Sequence, residues 1–251
     1  MPVPTLNPDL PEWPGARLFC TTRSGGVSLP PYHSLNLGDH VGDDAQRVAI
    51  NRQRLAQTWE VHPVFMQQVH GTAVVCIDSL PLNSVPVADA CWSTQPGVAC
   101  TIMVADCLPV LFYKPHARLV AAAHAGWRGL AAGVLENTLQ TTGMLADGGA
   151  VKVWLGPCIG PQAFEVGEEV LEAFVAVDPH AQQAFQSSVR SGKYLCDLAA
   201  LARQRLQRMG IEQVQGNDSS TLWCTYSNPQ LYFSHRRDGR SGRFAAGIAL
   251  D

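Results

Sequence analysis

Three side chains in this sequence have types and surroundings suited to chemistry: His70 in QQVHGT, Cys107 in VADCLPVLF and His124 in AAAHAGWRGL. One thiolate and two imidazoles form a donor set that suits zinc. The fourth position stays open for water or substrate, which is the pattern of a catalytic ion rather than a structural one. If Pro115 and His116 form a two-residue turn between LPVLFYK and RLVAAAH, Cys107 falls directly opposite His124, with Cβ atoms about 4.5–5.5 Å apart. A slip of one residue would turn one of them to the other face. His70 is read as the last residue of a strand, before Gly71, which permits a sharp turn; spacing alone does not bring it to the hairpin. Each of the three also has a plainer reading, as a small buried thiol or a hydrogen-bonded core histidine.

Gly126-Trp127-Arg128-Gly129 follows His124 almost at once. Gly126 is expected to let the chain reverse into a helix whose first amides and positive dipole end face the same place. Arg128 would add a bidentate contact to a phosphate or carboxylate held there. Arg52 and Arg23 are further candidates for holding phosphate, and all three read equally well as solvated arginines. Trp127 either stacks on a planar ligand or packs. Asp106 and Asp89 are candidate proton carriers by position alone, and structural carboxylates otherwise.

These residues need a scaffold. RLFCTT, VFMQQVH, TAVVCI, VACTIMVA, LPVLFYK, RLVAAAH, VKVWLG and RFAAGIAL read as strands. Helical spacing runs from Asp43 through Val48, Arg52, Leu55 and Trp59, returns after Gly126, and recurs over Glu165–Val177 and Asp197–Met209. Consecutive strands with helices interspersed predict an α+β fold with mixed β-sheets and packed helices in layers. Residues 1–16, with five prolines, read as an extended arm, and 17–251 as one catalytic domain. SGGVSLPPYHSLNLG is a long Gly/Pro loop of the kind that is often functional.

Composition narrows the function. The chain has 251 residues, 46% apolar and 16% charged, enough for a full core. With 18 Lys+Arg against 21 Asp+Glu and no block of like charge, nucleic acid is not an expected partner. No basic start with an apolar core opens the chain, and its longest apolar run is broken by Asp106 and Pro109. The reading is a cytoplasmic protein without a membrane anchor. Eight cysteines with no Cys-x-x-Cys pair are neither a zinc ribbon nor a disulfide framework.

Taken together, QQVHGT, VADCLPVLF, AAHAGWRGL, LGPCIGPQAFEVGEEV and YFSHRRDGRSGRFAAGIAL closely resemble the YfiH/laccase-domain family, known also as the purine nucleoside phosphorylase or polyphenol oxidase family. The resemblance runs from about Arg17 to the C-terminus. It implies zinc held by His70, Cys107 and His124, with Cys107 and His124 at the catalytic centre. It also implies phosphorolysis of adenosine, inosine, guanosine and methylthioadenosine, and deamination of adenosine; purine nucleoside and phosphate would then be the partners. Members are linked as well to copper-dependent phenol oxidation and to editing of peptidoglycan precursors, and the fold is grouped with deamidating toxins that use a Cys-His pair.

Two rival readings stay open. A multicopper laccase needs many histidines, commonly in His-x-His pairs, and this chain has eight histidines and no such pair. A single copper in the same three-residue set is the surviving form of that reading. A metal-free hydrolase, in which His124 activates Cys107 as nucleophile, is the other.

Overall fold

The computed structural model describes residues 10–81, 84–146 and 148–251. Its strands are β1 (Ala16–Cys20), β2 (His62–Val64), β3 (Val74–Cys76), β4 (Ala90–Ser93), β5 (Val98–Val104), β6 (Leu108–Lys114), β7 (Leu119–Ala125), β8 (Lys152–Leu155), β9 (Glu165–Gly167), β10 (Phe185–Ser187), β11 (Lys193–Cys196), β12 (Val214–Gly216) and β13 (Phe244–Leu250). Its helices are α1 (Ala45–Trp59), α2 (Trp127–Ala132), α3 (Val134–Thr141), α4 (Glu168–Val175), α5 (Leu198–Arg208) and α6 (His235–Asp238). Two mixed sheets dominate, one of four strands in the order β1-β13-β5-β2 and one of six in the order β12-β8-β6-β7-β4-β3; β10-β11-β9 form a small third sheet.

Alternation of side chains builds the layers. On the six-stranded sheet Val110, Phe112, Ala121, Ala123, Val153 and Leu155 face Leu130, Val134 and Leu135 of α2 and α3 and Leu201 of α5. The intervening Leu111, Tyr113, Val120, Ala122 and Trp154 face Cys100, Ile102, Phe244 and Ile248 of the other sheet. The far side of the four-stranded sheet, with Phe19, Ala99, Met103 and Ala245, is covered by Leu55 of α1 and by Leu35 and Leu37. The order is helix, sheet, sheet, helix. Strands covered on both faces must be apolar throughout, which is why β6 and β7 read as continuous greasy runs. This is the α+β architecture with mixed sheets that the element pattern predicts.

Local chemistry sets the helix ends. Asp44 caps α1 by accepting from the Arg47 amide at 3.0 Å, and Asp197 caps α5 through the Ala200 amide at 2.9 Å. No helix among the described residues is long and apolar enough to cross a membrane.

Several expectations need correction. Lys114 pairs with Leu119, so the β6–β7 loop is Pro115–Arg118 rather than a two-residue turn. The register shifts by two, placing Pro109 opposite His124. A shift of two preserves the face, so the thiol just before β6 still meets the imidazole. His70 does not end a strand: it sits in a bend at φ 61, with only an isolated Gln67–Val87 bridge before it. The helix expected from Glu165 starts at Glu168, because Glu165–Gly167 pair with β11. The first nine residues of the expected arm lie outside the described residues. Its end is packed down, with Trp13 stacked on Tyr113 and donating to Gln215 at 2.9 Å.

Candidate metal centre

His124 is the penultimate residue of β7, Cys107 immediately precedes β6, and His70 lies in the bend before β3. Their ligand atoms all fall within 4.8 Å of one another, and among the described residues they are the one group of three or more such donors. Cys107 Sγ lies 3.6 Å from His70 Nε2. A tetrahedral zinc with Zn–N of about 2.0 Å and Zn–S of about 2.3 Å separates its N and S donors by about 3.5 Å. The donors present therefore fit such an ion.

One buried carboxylate assembles the set. Asp89 accepts from the amides of Val69, His70 and Gly71 at 3.2, 2.9 and 2.7 Å, and its backbone carbonyl accepts from the His124 amide at 2.7 Å. Its side chain also lies 2.9 Å from His124 Nδ1. Burial alone would raise the Asp89 carboxyl, but the His124 contact and the Gly71 and Val69 amides hold it below the usual range. An ionised Asp89 makes Nδ1 the donor and leaves Nε2 of His124 free to ligate. Burial likewise opposes charge on Cys107, yet His124 and then His70 pull the thiol down to about 6. Burial would lower His124, and Cys107 and Asp89 lift it to about 9.

Gly126 has a reason other than the expected one. Its φ of −65° is open to any residue, but a Cβ there would lie 2.7 Å from His70 Cδ2 and 3.0 Å from Cys107 Sγ. The glycine leaves room for the ligands. Gly129 similarly lets α2 approach the Gly71 carbonyl, which an added Cβ would meet at 2.8 Å.

The donors open into a pocket of about 430 Å³. Met103, Trp127, Ile159 and Phe164 give it apolar walls, and Gln68, Asp106, Arg128, Arg236 and Arg243 supply polar groups. Asp106, at φ 96, accepts from the Thr225 hydroxyl at 2.6 Å and the Arg236 amide at 2.7 Å. His70, one of the three donors, and Asp106, the residue before Cys107, are both non-glycine residues at positive φ, and a held, unfavourable backbone of this kind clusters at functional sites.

The sequence-predicted residues divide. His70, Cys107, His124, Asp106, Trp127 and Arg128 line this pocket. Arg128 lies 4.3 Å over the Trp127 ring. Arg52 does not line it: its guanidinium is engaged by the Leu37 carbonyl, Asp39 and the Phe65 ring. Arg23 is spent on the His33 and Pro229 carbonyls. Sequence reasoning missed Arg236 and Arg243, which stand in the polar run just before the last strand; of its two readings of Asp89, proton carrier or structural carboxylate, the hydrogen bonds of Asp89 fit the second.

Residues 17–251 match the family model described as multi-copper polyphenol oxidoreductase laccase. The chain is 51% identical over 245 residues to a Pseudomonas aeruginosa protein named purine nucleoside phosphorylase, covering 98% of each. It is 50% identical to the Escherichia coli K12 purine nucleoside phosphorylase YfiH, covering 96% of this chain and 98% of that one. A Neisseria meningitidis crystal structure superposes with a TM-score of 0.89 at 43% identity, covering 98% and 99% of the two chains. YlmD from Geobacillus stearothermophilus does so with 0.85 at 33%, covering 94% and 92%.

Proposed function

The chain belongs to the laccase-like YfiH family, and from that premise we propose that it is a metal-dependent purine nucleoside phosphorylase, with zinc as its ion and adenosine deamination as a second activity. The observation that carries the reading is the convergence of His70, Cys107 and His124 on a pocket that also holds arginines and aromatic rings. Purine nucleosides are the substrates named for the Pseudomonas and Escherichia relatives.

In this proposal His70 Nε2, Cys107 Sγ and His124 Nε2 hold the ion, and Asp89 fixes the His124 tautomer. The ion supplies Lewis acidity and a nucleophile from water at neutral pH. Trp127 and Phe164 give the purine flat, apolar walls. In phosphorolysis a phosphate oxygen bonds to ribose C1′ as the bond to the base breaks, and the electron pair leaves with the base. Pocket arginines offset the charge on phosphate. In deamination water adds at C6 and ammonia leaves; proton transfer falls to Asp106, which lines the pocket, rather than to Asp89, which is fully buried and does not line it.

A second reading has its own support. Without an ion, the mutual attraction of Cys107 and His124 lowers the thiol and raises the imidazole, which favours a thiolate–imidazolium pair, the arrangement of a cysteine nucleophile. A copper oxidase that needs several ions finds a single three-donor cluster among the described residues. Assay of adenosine, inosine, guanosine and methylthioadenosine, with and without phosphate and with and without chelator, separates these. Phosphate-dependent release of base that chelator abolishes is the expected result. Cleavage that survives chelation but not thiol alkylation would favour the nucleophile, and no cleavage at all would sink the proposal.

A further inference from the structure

The long loop between β1 and α1 is ordered to an extent that its sequence does not require. Asn51 of α1 is wholly buried and donates to Ser28 Oγ, the Ser34 carbonyl and the Asn36 carbonyl, while accepting from the Val27 amide. Asn36, equally buried, accepts from the Gly38 amide at 3.0 Å and the Arg243 amide at 2.8 Å. The Leu37 amide donates to the Arg243 carbonyl at 3.0 Å. A Cβ at Gly38 would lie 2.8 Å from Arg243 Cγ, so the arginine stem is packed against the loop. All of this order converges on one side chain that points into the pocket of the metal ligands.

Arg243 is unlike the other two arginines there. Arg128 and Arg236 are exposed, whereas Arg243 is half-buried. Its Nη1 donates to the Ser241 and Gly242 carbonyls at 3.1 Å each; Nε and Nη2 have no acceptor among the described residues, and no carboxylate lies within ion-pair distance. Burial lowers its pKa, partly offset by Cys107 and Asp106. Both oxygens of Asp106 are already taken by Thr225 and the Arg236 amide. His40 lines the same pocket. A half-buried guanidinium that opens into the pocket with two donor groups unpaired by protein is placed to receive an anion, and its planar fork matches a tetrahedral oxyanion.

We infer that Arg243, beside His40 and braced by the Asn36–Asn51 loop, is the residue that holds inorganic phosphate in this pocket. The inference rests on the phosphorolysis reading and names its phosphate subsite, in place of Arg52 and Arg23.

The test is calorimetric titration of inorganic phosphate into the full metal-loaded chain, alongside steady-state kinetics. Arg243→Gln is expected to raise the phosphate Kd roughly ten- to a hundredfold and to raise KM for phosphate, leaving KM for nucleoside within about twofold. Arg243→Lys keeps the charge but not the fork and should fall in between; it decides the matter if the glutamine variant does not fold, a wild-type Kd then overturning the inference. Arg240→Gln, which alters a neighbouring arginine bound to Tyr32 and the Gly42 carbonyl, should leave phosphate affinity unchanged. Wild-type phosphate affinity in Arg243→Gln, or no phosphate binding by the parent, would overturn the assignment. Arg243-dependent phosphate binding without nucleoside cleavage would sink phosphorolysis and leave the subsite standing. Phosphorolysis undisturbed in Arg243→Gln would do the reverse.

Discussion

Two of the hollows on this molecule, one of about 430 Å³ and one of about 440 Å³, are nearly equal in size and differ in how their polar groups are spent. In the second, which Arg52, Phe65 and Asp78 line, Arg52 is matched by Asp39, the Leu37 carbonyl and the Phe65 ring. Asp78 there is satisfied by Ser93 and Thr94. In the first, three donors converge of which only His124 has a charged partner, Asp89. Among the described residues the guanidinium groups of Arg128, Arg236 and Arg243 make no ion pair, although Arg236 reaches the Glu165 carbonyl. Volume is common to both. Polar groups that the protein organises but does not itself satisfy belong to the first, and such groups mark a site because holding them in place is costly without a ligand.

The sharpest way to break that contrast is to remove the donors. Cys107→Ala is expected to lose stoichiometric metal and to cut turnover by on the order of 10³ or more, with the far-ultraviolet circular dichroism unchanged because the thiol sits at a strand end. Gly126→Ala should act in the same direction with every ligand present, since the new methyl lands within 2.7 Å of His70 and 3.0 Å of Cys107. Elemental analysis of both purified variants checks this; full metal content in either one breaks the geometry argued above.

Asp89→Asn should weaken metal binding by roughly ten- to a hundredfold, as loss of an orienting carboxylate does, measured by competition against a chromophoric chelator. The loss has two causes: an amide accepts fewer hydrogen bonds from the 69–71 turn, and it no longer holds His124 Nδ1–H as a carboxylate does. At the small end, Arg52→Gln should change turnover by less than about twofold. It should cost about 1 kcal/mol of stability in urea denaturation through its half-buried ion pair and stacking. A large kinetic effect there would make the second hollow functional and erase the distinction.

How much of this was legible differs residue by residue. His124 and Cys107 could be related because they flank a hairpin, and a hairpin converts sequence separation into distance. The relation survived a wrong turn length, because a two-residue shift in register keeps the same face. Asp89 could be named but not given its task, since its partners are the amides of residues 69–71 and an imidazole 35 positions away. Arg52 and Arg243 are alike as letters. One is paired and one is not, and pairing depends on what folds beside each.

The amino-acid sequence by itself determined the layered α+β framework, because apolar periodicity and strand-rich runs are local properties that burial on both faces enforces. It also determined the three donor types and, through ordered motifs, their family. The motifs implied His70 as the third member, but only the tertiary structure brings it to the other two, which spacing could not do. Only that structure decided that Gly126 serves space rather than backbone freedom and that Arg243 rather than Arg52 faces the three donors. The reason is physical: convergence of distant segments and the satisfaction of each charge depend on contacts across the chain, which no local pattern encodes.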